Sequence, residues 1–203
     1  MEKQIYITPE LLTNKKIVNE VDLNSPYYIS LFSKTGLIGN FTVQEFAFIR
    51  YLNSVLKLVA QLNKLDLKNI KAEDIKQEYI NDAVFRLEVA SLTQIDKENM
   101  TMKFDPKDFR DNRQGLSVLH VLNSSVIQYV ALKHGLRVED GLGFFLNNSS
   151  QGPRKLVPCE KVNDKNMFES IIKKLDIEDY SKLLPAENTD APKAPTKPNI
   201  KDN

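Results

Sequence analysis

The sequence predicts a mainly α-helical α+β fold, with two long core helices, a small antiparallel sheet or hairpin and a C-terminal helical pair. Three observations carry this. Phe48, Leu52, Val55, Leu56, Val59 and Leu62 recur at three- and four-residue steps, as one face of a helix does. Leu119, Leu122, Val126 and Val130 repeat that spacing. Around 84–104, apolar and polar residues alternate with the period of two that a half-buried strand needs.

The chain has 203 residues, 41% hydrophobic and 27% charged, which suits one globular domain with a sizeable core. That domain is expected over 1–184, followed by an extended or disordered Pro/Lys-rich tail over 185–203.

In chain order, Thr8 and Pro9 start a short helix at about 9–14, with Glu10 in its first turn. "SPYYISLFS" (25–33) is aromatic and β-branched and reads as a strand. "KTGLIGN" carries two glycines and reads as a turn. "TVQE" (42–45) matches the capping box: Thr42 caps, and Glu45 reaches back to the Thr42 backbone. A helix of about 20 residues, 43–63, follows. "KAEDIKQEYINDA" opens another helix, with Ala72, Ile75, Tyr79 and Ala83 on one side. Beyond it two readings stay open. "VFRLEVAS" and "NMTMKFD" both alternate and fit the strands of a hairpin joined by "LTQIDKE", while a helix continuing to about Thr93 fits the first of them equally well. "FDPKDFRDNRQG" is a mixed-charge connection. The second long helix, 116–134, ends near Gly135, a residue suited to the left-handed position past a helix end. A short strand is expected at 155–158. "NMFESIIKKLDIEDYSKLL" gives either one helix broken near Asp176 or two short ones.

Composition narrows the function. With 28 basic and 27 acidic residues, the chain lacks the basic excess of a dedicated nucleic-acid binder. The single cysteine, Cys159, allows no internal disulfide. "MEKQIYITPE" has no apolar signal-peptide core, and no run of about 18 apolar residues occurs. We therefore expect no membrane association, and a chain that is cytoplasmic or built into a virion or other assembly formed there.

Catalytic and metal chemistry find few candidates. His120 and His134 stand fourteen residues apart, roughly 21 Å along one helix, too far to share a metal ion. One cysteine cannot give a zinc spacing. No "GxSxG" elbow is present, and Glu160 beside Cys159 tends to raise the thiol pKa. "GLIGN" and "GLGFF" lack the lysine and spacing of a phosphate loop and read as turns. The adjacent acids Glu73–Asp74, Glu139–Asp140 and Glu178–Asp179 suit helix starts. No catalytic, cofactor or metal residue is assigned.

Candidate partner contacts are Tyr27, Tyr28, Phe144 and Phe145, aromatics with too few basic neighbours for a nucleic-acid stacking platform. Pro192, Pro195 and Pro198 join them, because the tail "PAENTDAPKAPTKPNIKDN" has almost nothing to bury and gains order against a partner. The leading expectation is a non-enzymatic structural or assembly protein, one subunit of a larger, homo-oligomeric complex, with a phage virion or neck component as its most specific form. The alternative is a nucleic-acid-binding regulator or replication accessory protein with a helix-turn-helix-like segment near 126–146. Ala131 and Gly135 have that motif's four-residue spacing, but Gly141 stands where an apolar residue should dock the second helix. "VEDGLGFF", with two acids and two glycines, suits neither phosphates nor a helix. The stretch therefore reads as a core helix stopping at Gly135, then a glycine-loosened loop or short helix presenting Phe144 and Phe145.

Overall fold

The computed structural model describes residues 7–13, 30–33, 36–104, 118, 120–139 and 152–175, with the backbone alone at 30–33, 36–40 and 175. Within them lie α1 (Pro9–Thr13), β1 (Ser30–Ser33), β2 (Gly36–Asn40), α2 (Val43–Asn63) and a 3-10 turn (Ala72–Asp74). They continue with α3 (Gln77–Leu92), β3 (Ile95–Asp96), β4 (Thr101–Met102), α4 (Ser124–Lys133), β5 (Leu136–Val138), β6 (Arg154–Pro158) and α5 (Asp164–Leu175). The fold is mainly helical α+β, with a small antiparallel sheet in the order β3-β4-β6-β5.

Helix α2 begins where the sequence places it. Thr42 is extended, and its hydroxyl accepts from the Glu45 N–H at 3.1 Å. The Thr42 N–H donates to Glu45 Oε2 at 2.8 Å, which completes the box. At 21 residues the helix spans about 31 Å. Its burial is broader than the single predicted stripe, because Phe46, Ile49, Tyr51 and Leu58 are buried as well. A helix apolar on most sides belongs in the centre of a fold, and α2 indeed packs against α1, α3, α4 and α5.

The 84–104 ambiguity resolves in parts. "VFRLEVAS" is helix, because Ile80, Ala83, Val84, Leu87 and Ala90 form a buried stripe at helical steps along α3. The alternation of Phe85, Leu87 and Val89 is incidental to it. The hairpin exists further on, between β3 and β4, with Ile95 opposite Met102. Asp96 shapes its turn: Oδ1 accepts from the N–H groups of Glu98 (3.0 Å) and Asn99 (2.9 Å).

Three other expectations need correction. "KTGLIGN" is not simply a turn, since Gly36–Asn40 pairs antiparallel with β1 and so satisfies its backbone groups. Helix α4 starts at Ser124, not 116. Asn123 is its N-cap, its side-chain oxygen accepting from Ser125 N–H (3.0 Å) and Val126 N–H (3.1 Å), a bond that competes with continuous helix. The Val121 carbonyl just before it is satisfied from α2 by the Ser54 hydroxyl at 2.8 Å. Finally, no second helix follows the "HGL" turn directly: Leu136–Val138 is strand β5, paired with β6. The first half of the C-terminal helical pair is α5, and the second half and the tail fall outside the described residues.

Gly135 ends α4 as expected. Its φ is 77°, in the left-handed region, and an added Cβ would lie 3.3 Å from the Cys159 carbonyl oxygen. That approach is used, because the Cys159 N–H donates to the Gly135 carbonyl at 2.9 Å. Gly135→Ala should cost about 1–2 kcal/mol from the left-handed backbone. It should appear as a lower urea midpoint with unchanged slope.

Candidate functional site

The first candidate is a buried polar centre where α2, α4 and α5 meet. Helix α4 places Tyr129 and Lys133 one turn apart on the same face. Asp164, 7% exposed, opens α5 and sits opposite them. The Tyr129 hydroxyl donates to Asp164 Oδ1, and Lys133 Nζ lies 3.6 Å from Asp164 Oδ2. Lys133 Nζ also sits 5.6 Å from the centroid of the Tyr51 ring, close enough for a cation–π contact. The Tyr51 and Tyr129 rings are 4.9 Å apart, and Phe48 packs on Tyr129 at 5.1 Å. Tyr51 is fully buried, and its hydroxyl has no hydrogen-bond partner among the described residues.

The electrostatics suit a structural tie better than acid–base work. Burial pushes the Tyr129 phenol well above its ordinary range, and the Asp164 charge and hydrogen bond push it further. Burial does the same to Tyr51, with the Asp164 and Glu88 charges adding to it. Neither phenol is readied as a phenolate, so each donates a hydrogen bond or stays silent.

A second tie closes the other end of α5. Glu45, 3% exposed, accepts from Lys174 Nζ at 2.5 Å and from the Ser170 hydroxyl. Lys174 also lies 5.8 Å from the Phe41 ring centroid. Burial works to raise the Glu45 pKa, but the bonds from Lys174, Ser170 and the Thr42 N–H outweigh it and hold the carboxyl below its usual value. The sequence reading recognised Glu45 as a cap and missed its second role, because a capping motif carries no signal about a residue 129 positions away.

The residues singled out from sequence fall as follows. Tyr27, Tyr28, Phe144, Phe145, Pro192, Pro195 and Pro198 lie outside the described residues. His120 sits exposed in the turn before α4, and His134 caps the end of α4. His134 Nε2 is 3.0 Å from Glu88 Oε1 on α3. The Cys159 thiol is pushed up by burial, opposed by the nearby Arg137 charge, so burial supplies the shift assigned to Glu160 from sequence. Asp74 accepts from the Lys71 N–H (2.9 Å) at the start of the 3-10 turn, and Glu139 pairs with Lys155 across β5 and β6 (3.0 Å). Among the described residues, no group of three or more His, Cys, Asp or Glu is placed to hold a metal ion, and no helix is long and apolar enough to cross a membrane.

The third candidate is on the surface. Phe85 is 65% exposed and Val89 46% exposed. They stand four residues apart on α3, so their side chains adjoin on its outer face. Beside them Arg86 and Asp82 form an exposed pair at 2.9 Å. Sequence reasoning did not single out this patch, because it left 84–93 open between a strand, with Phe85 and Val89 on its inner face, and a continuing helix. The signal was available in Ala83, Leu87 and Ala90, whose helical spacing turns Phe85 outward. Comparison with protein-family models, with curated proteins and with solved structures gave no match.

Proposed function

We propose that this chain is a non-enzymatic subunit of a multi-copy protein assembly, and that the outer face of α3 is a contact surface in it. The observation that carries this reading is the exposed Phe85–Val89 pair. Lone apolar residues on a surface are ordinary, while two adjoining exposed ones beside a charged pair offer apolar area that a partner can cover. Aromatic residues dominate the energetics of such contacts. The buried ionisable groups favour the same reading, since they are spent on joining α5 to α2 and α4.

Light scattering of the purified chain over a wide concentration range tests this. The native mass should rise above that of one chain as concentration increases. A single-chain mass throughout would sink the proposal.

A further inference from the structure

We draw no further inference here: the strongest candidate, the exposed apolar face of α3 formed by Phe85 and Val89, is the surface already given a contact role above, and nothing in the structure shows what covers it.

Discussion

Asp164→Ala should destabilise the fold by about 3 kcal/mol. The substitution leaves the Tyr129 hydroxyl without its acceptor inside the core. It also strands the Lys133 ammonium, whose side chain is only 23% exposed. Both groups then bear a desolvation cost that Asp164 offsets in the wild type. Tyr129→Phe should cost less, about 1–2 kcal/mol, because Asp164 keeps Lys133 and loses one hydrogen bond. Tyr51→Phe is the informative contrast. The same ring chemistry, equally buried, has a hydroxyl with no partner among the described residues. Removing it should leave stability within about 0.5 kcal/mol of the wild type or raise it, because no bond is lost and a desolvated polar group is removed. Urea unfolding of the three variants orders these costs. Equal losses in Tyr51→Phe and Tyr129→Phe would show that the hydrogen bond to Asp164 does not account for the effect.

Lys174→Met should be the next most damaging change, at about 2–3 kcal/mol near neutral pH. A fully buried pair broken on one side loses about 3–5 kcal/mol, and the Lys174 side chain is 32% exposed, which lowers the figure. Glu45 would keep its bonds to Thr42 and Ser170 but lose its counter-charge. The pH dependence follows from the sign of the Glu45 shift. In the wild type the folded-state pKa lies below the usual 4.5, so the contribution is full above that value and is lost as pH falls through the folded pKa. Without Lys174, burial dominates and raises the pKa, so protonation relieves the variant. The stability gap between the two proteins should therefore narrow between pH 7 and pH 3. A gap that stays constant over that range would show that Lys174 acts through packing on Phe41 and not through the charge of Glu45. The double variant Glu45→Gln, Lys174→Met should recover part of the loss, since glutamine retains the capping-box role.

Much of the helical frame was legible in the sequence. The Thr42–Glu45 box and the apolar repeat after it located α2 to within a residue, because capping and amphipathic burial are both local. Gly135 marked the end of α4 for the same reason, a left-handed backbone position that favours glycine. The open and the mistaken readings share a different cause. Phe85, Leu87 and Val89 satisfy a period of two and of 3.6 over so few residues that only the flanking Ile80, Ala83 and Ala90 decide between them. Leu119 and Leu122 continue the spacing of α4 backwards, and it takes the Asn123 side chain to break it. The buried centre was not legible. Tyr129 and Asp164 are 35 residues apart, and nothing local marks them as partners. The outward face of α3 became visible only once the structure decided between helix and strand.

The most direct test of the assembly proposal is sedimentation velocity of Phe85→Glu beside the wild type at equal concentration. Phe85 is mostly exposed, so the substitution should leave the fold and its circular dichroism intact. The wild type should sediment as a multi-chain species and the variant as a single chain. Identical sedimentation of the two proteins would contradict a contact role for the α3 face.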